Sequence, residues 1–194
     1  REELNGQAPG QRRRILFWRE ATHEQGCDLV IEAFDALAPK HPNFSFDLAV
    51  RENRNEVPGL EELDNKHSNV TLHRFPYSEG ITLAKLIAEA LCVVLPFRQL
   101  SIQPQLAIAE SLKAGAATVC ADVGSCNELV LHERTGLVVA PDDGTALTSA
   151  VARLLDDVDG TLKMGEEAMR DIETRWNWQN YTNNLRNIYS QLQA

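Results

Sequence analysis

Hydrophobic residues in this chain come in short solid runs, separated by longer stretches in which they recur every three or four positions. The solid runs are Ile15 to Trp18, Phe44 to Val50, Asn69 to His73, Leu91 to Leu95, Ala117 to Ala121 and Leu137 to Val139. Uninterrupted apolar runs of this length are typical of strands covered on both faces in a parallel sheet. The intervening stretches have helical spacing. Leu29, Val30, Ala33, Phe34 and Leu37 form one stripe between Cys27 and Ala38, which Pro39 and Pro42 should stop. A short helix should follow Pro58-Gly59 and run to about His67, and another should span Ile81 to Glu89 with Ser78 as its N-cap. Further helices are expected from the Pro141-Asp142-Asp143-Gly144 turn to Leu155, from Leu162 to Thr174, and from the Trp176 to Tyr181 segment to about Leu192. Strands alternating with helices predict an α/β fold. We expect a Rossmann-like three-layer αβα sandwich with about six parallel strands.

The stretch from Leu91 to Val130 organises the rest. The strand ends at Pro96, a loop runs to Gln103, and Pro104 fits the first turn of a helix that Gly115 closes. The next strand leads to Ser125 and Glu128, which have capping-box spacing. Both loops follow the carboxyl ends of strands, where open α/β sheets bind ligands. Glu110 stands mid-helix, with Leu106, Ala107 and Ala114 on its face. It either accepts from ligand hydroxyls or pairs with Lys113 on the surface.

Composition narrows the functions available. The 194 residues suffice for one domain with its own core. A formal net charge of −9 disfavours nucleic-acid binding, which needs a basic face. There is no apolar run long enough to span a membrane and no signal-peptide pattern. Cys27, Cys92, Cys120 and Cys126 have no zinc spacing, and a reducing cytoplasm suits them. His23 and Cys27 lie one turn apart without further ligands, so no metal site is expected. No G-x-G-x-x-G follows the first strand, which argues against an NAD enzyme. Residues 1–11 read as a linker or tail, and 12–194 as the domain.

Three segments carry a family resemblance: Gln105-Leu-Ala-Ile-Ala-Glu-Ser-Leu-Lys-Ala-Gly, Asp122-Val-Gly-Ser-Cys-Asn-Glu-Leu-Val and Thr135-Gly-Leu-Val-Val. Together they resemble the nucleotide-sugar donor half of GT-B glycosyltransferases, closest to the retaining family 4 group. The resemblance runs from about Arg14 to Tyr189. It implies a C-terminal donor-binding domain that works with an N-terminal acceptor-binding domain of the same enzyme. A nucleoside-diphosphate sugar would be the substrate, with no obligatory metal or other cofactor. The protein would be cytoplasmic, reaching the membrane face only through the other domain. Glu110 matches the family's ribose-binding Glu. Pro104, Gln105 and Leu106 match the helix start facing the donor phosphate, and His73 and Arg74 the segment facing the base. Glu20, Gln25 and Ile102 replace the family's Arg, Lys and first Glu. Losing two charge-assisted bonds would weaken donor binding by roughly 3–6 kcal/mol, so Arg19 or Arg98 is expected to supply the phosphate cation. The same three changes also suit a degenerate, non-catalytic binding module. Trp176, Trp178 and Tyr181 are either core aromatics or a face left for the partner domain.

Overall fold

A computed structural model describes residues 12–100 and 102–192. The proposed linker at 1–11 lies outside them. Six strands form one sheet: β1 (Arg14–Phe17), β2 (Ser45–Val50), β3 (Val70–Arg74), β4 (Ala90–Leu95), β5 (Ala117–Ala121) and β6 (Gly136–Val139). Their order is β3-β2-β1-β4-β5-β6, and every pairing is parallel. The chain therefore winds outward from β1 in one direction, then returns to β4 and winds outward in the other. The reversal leaves a crevice between the loops after β1 and β4.

Both faces of the sheet are covered, which is why the strands read as solid runs. Ile15, Phe17, Phe46, Leu48, Cys92 and Val94 point to one side, where α1 (Cys27–Leu37), α2 (Leu60–Lys66) and α6 (Gly144–Asp156) pack. Leu16, Trp18, Ala49, Val93 and Leu95 point to the other, against α3 (Leu83–Ala88), α4 (Leu106–Lys113), α5 (Cys126–Leu129) and α7 (Val158–Arg175). The helix α7 comes very close to the end of α4. A Cβ on Gly165 would lie 2.2 Å from the Gly115 carbonyl oxygen, so only glycine permits that approach. The last helix, α8 (Trp178–Leu192), buries none of its residues.

Several local expectations are corrected. The helix expected at Ile81 starts after Thr82, whose hydroxyl accepts from the Lys85 amide at 3.2 Å; Ser78 does not cap it. That helix ends at Ala88, because Ala90 is already in β4. Pro104 is outside α4: Gln105, with ψ 102, is still extended, so the helix begins at Leu106. The Ser125–Glu128 capping box does not form. The helix is only four residues long, Glu128 donates its backbone N–H to the Ser125 carbonyl, and the buried Ser125 hydroxyl has no partner among the described residues.

Candidate functional site

The crevice is built from two loops held together at their backbones. Gly26 adopts φ 72°, and a Cβ there would come within 2.1 Å of the Pro96 carbonyl oxygen. The amides of Arg98 and Gln99 both donate to the Glu24 carbonyl, at 2.9 and 3.2 Å. The β1 loop and the β4 loop therefore form one unit at the switch point.

Arg19 lies inside this unit. Its Nε donates to Gln25 Oε1 at 3.2 Å, and its guanidinium carbon lies 5.9 Å from the ring centroids of both Trp18 and Phe97. Burial pulls its ionisation below the ordinary value. The fields of Glu20 and Glu110 oppose that, while Arg51 adds to it. A guanidinium stays charged under such shifts. Glu20 turns the other way: its Oε2 accepts from Asn53 Nδ2 at 2.9 Å, and its backbone bridges to Arg51. Glu20 is thus engaged by Asn53, and its neighbour Arg19 fills the space beside Gln25.

Glu110 sits on the open face of α4. The buried face is Ala107, Ile108, Ser111 and Leu112, so Leu106 and Glu110 are both exposed. The apolar surroundings expected for Glu110 are therefore absent. Among the described residues it forms no ion pair with Lys113, which instead borders a groove beside Trp176 and Trp178. Among the described residues the first amides of α4 have no side-chain cap, and the Gln105 side-chain amide donates to the Ile102 carbonyl at 3.1 Å. These free N–H groups and the helix dipole leave a positive pole at the crevice.

The other two arginines are engaged. Arg98 makes a two-point contact with Asp28 at 2.6 and 2.9 Å, and also bonds Asp142 and the His23 carbonyl. The Asp28 hydrogen bond raises its pKa above the ordinary value. Arg74, the last residue of β3, is clamped by Glu56 at 2.7 and 2.9 Å and by Glu61. Ile102 is exposed in the loop ahead of α4.

One cluster was not singled out from sequence. Asp47, 2% exposed on β2, accepts from His73 at 2.6 Å and from Ser45 at 2.5 Å, and lies 3.2 Å from Arg14 Nε. Burial disfavours its charge, but these three partners outweigh burial and hold its carboxyl below the usual range. An Asp inside an otherwise apolar strand run was the available signal. It lies mid-strand, one step back from Ala49 on the same face of the sheet, enclosed by these partners, and so belongs to the scaffold.

An open, doubly wound parallel sheet with helices on both faces defines a three-layer α/β domain of the Rossmann-like class. Within it, the chain belongs to the family described as glycosyl transferases group 1, whose model matches residues 12–157. It is 26% identical over 172 residues to the lipopolysaccharide core biosynthesis mannosyltransferase LpcC of Rhizobium leguminosarum bv. viciae, covering 88% of this chain and 48% of that protein. The solved C-terminal domain of the group 1 protein LpcC from Francisella tularensis superimposes with a TM-score of 0.74 at 15% identity, covering 85% of this chain and 86% of that one. Anabaena HepE, solved in complex with UDP-glucose, gives a TM-score of 0.73 at 15% identity, covering 97% of this chain and 54% of that one. The chain spans under half the length of the curated relatives it matches first. Among the described residues no helix is long and apolar enough to cross a membrane.

Proposed function

We propose that this chain is the donor-binding half of a retaining glycosyltransferase that moves a sugar from a nucleoside diphosphate to an acceptor. The observation that carries this is the Arg19 guanidinium, held by Gln25 Oε1 at 3.2 Å between the rings of Trp18 and Phe97 at the carboxyl end of β1. In this reading Arg19 grips the diphosphate. Glu110 accepts from the ribose hydroxyls, and the free amides at the start of α4 stabilise the leaving phosphate where its charge develops. No metal is required, since a guanidinium and a helix pole supply the positive charge. The sugar-transferring relative and the UDP-glucose neighbour support a nucleotide-sugar donor.

The acceptor would be held by a second domain, and the exposed face of α8 supports that pairing. Trp178, Tyr181, Ile188 and Leu192 are all more than half exposed there. We place the whole enzyme in the cytoplasm, where the second domain would make any membrane contact. The domain alone should bind donor without turnover.

Titration calorimetry of the chain with UDP, GDP, ADP and their sugar conjugates tests this reading. One nucleotide should bind, and both Glu110→Ala and Arg19→Leu should weaken it by about tenfold or more, the worth of one charge-assisted bond. Absence of binding from all of them would favour the second reading, a non-catalytic interaction module. The exposed Ile102, where the family carries a sugar-binding Glu, speaks for that alternative.

A further inference from the structure

Beside the crevice, the carboxyl ends of β1 and β2 and the segment after β3 enclose a cleft of about 210 Å³. Arg19 lines it and so joins it to the switch point. Its floor is Trp18 and Ala49, 6% and 3% exposed. The Trp18 indole N–H is spent on Ser111 Oγ at 3.2 Å, so this residue presents ring surface rather than a donor. Tyr77 and Leu83 add further lining, and Glu20, whose carboxylate is bonded to Asn53, lies at the edge. Such a slot suits a flat heterocycle.

Arg51 supplies the polar edge. Its guanidinium lies 5.0 Å from the Phe75 ring centroid, and Phe75 in turn meets Tyr77 edge to face at 5.7 Å. Among the described residues that ring contact is the partner of its side chain, whereas Arg14, Arg74 and Arg98 are all bound to carboxylates. With a ring rather than a carboxylate as its partner, the Arg51 guanidinium keeps N–H groups for a ligand acceptor. A fork needs two adjacent acceptors in the plane of its partner. Guanine offers O6 and N7 side by side. Adenine has an amine donor next to N7, which would meet the fork N–H to N–H. Uracil has a single keto oxygen on each side of N3–H, so it can take only one of the two bonds.

We propose that this cleft holds the base of the donor and that Arg51 selects guanine through its O6 and N7, making the donor a guanosine-diphosphate sugar. This rests on the donor-binding reading above. The base lies over Trp18 and Ala49, and the ribose and diphosphate run past Arg19 towards Gln25 and Glu110.

Calorimetry of the 194-residue chain with GDP, UDP, ADP and inorganic pyrophosphate tests it, alongside Arg51→Lys, which keeps the charge but removes the fork. Because Arg51 is exposed, the variant should fold, and circular dichroism checks that it does. GDP should bind about ten- to a hundredfold tighter than UDP or ADP, the discrimination expected of one good bidentate contact. Arg51→Lys should abolish that preference and leave pyrophosphate affinity unchanged. Tightest binding of UDP or ADP, or a guanine preference that survives Arg51→Lys, would overturn the base assignment while leaving the donor reading in place. Failure of all three nucleotides to bind the folded chain would overturn both.

Discussion

Arg19 donates to Gln25 across the turn that follows β1, and the field of Glu110 reaches the same guanidinium. Two positions that differ from the family pattern, Glu20 and Gln25, are thereby accounted for together. Gln25 is a neutral acceptor that orients Arg19. Glu20 is held away by Asn53. The buried rings of Trp18 and Phe97 flank the Arg19 guanidinium, each centroid 5.9 Å from its central carbon.

If that account holds, Arg19→Leu should cost about 1.5–3 kcal/mol of nucleoside-diphosphate affinity, the worth of a hydrogen bond to a charged group. Gln25→Leu should cost less, because it orients the cation without replacing it. Calorimetry on both variants gives the order; equal losses would mean that Gln25 touches the ligand itself.

Arg98→Ala should behave differently. Its side chain is 13% exposed and ties the β4 loop to Asp28 and Asp142. Removing it should lower unfolding free energy by about 2 kcal/mol, as the loss of a charge-assisted contact does. Nucleotide affinity should move much less than in Arg19→Leu. Urea denaturation paired with calorimetry separates the two effects.

Gly26→Ala should destabilise by about 2 kcal/mol or more, since it adds both a strained φ and a clash with Pro96. The displaced carbonyl belongs to the loop that carries Phe97 and Arg98, so nucleotide binding should fall as well. Chemical denaturation and ligand titration would show both losses in the same variant.

Asp47 should shape the acid limb of the stability profile. Its folded pKa lies below the unfolded value of about 3.9. Its stabilisation is therefore complete above that pH and is lost as pH falls through the folded pKa. Asp47→Ala should cost about 3 kcal/mol at pH 7, the usual penalty for leaving buried partners unmatched. The variant should also show a shallower loss of stability below about pH 4. Thermal unfolding across pH 2–8 measures both effects.

Trp178→Ser should leave stability within about 0.5 kcal/mol, as expected where a side chain is 80% exposed and α8 buries nothing. A larger loss would mean that α8 packs more tightly on the body than its exposure indicates. The melting temperature of the variant decides.

The sheet was legible in the sequence because its strands are covered on both sides. A run such as Leu91 to Leu95 has no solvent face and so no polar alternation, and it forms the core of β4, Ala90–Leu95, in an all-parallel sheet. The edge at which the loops after β1 and β4 meet was legible as well, since both follow carboxyl ends of strands in an α/β pattern. Local signals were weaker where they competed with the tertiary path. Ser125 and Glu128 have the spacing of a cap, but the turn that places Cys126 in the core leaves the Ser125 hydroxyl unpartnered. Pro104 could have opened α4, yet Gln105 remains extended and the helix starts two residues later. What sequence alone determined was the set of elements and their winding, because these follow from periodicities of a few residues. What only the tertiary structure decided was how each charge is spent. Arg98 finds Asp28 and Asp142 at separations of 70 and 44 residues, Arg74 finds Glu56 and Glu61, and Arg19 is left facing the crevice. A guanidinium reaches whatever carboxylate the fold carries to it, and no local pattern records which one that will be.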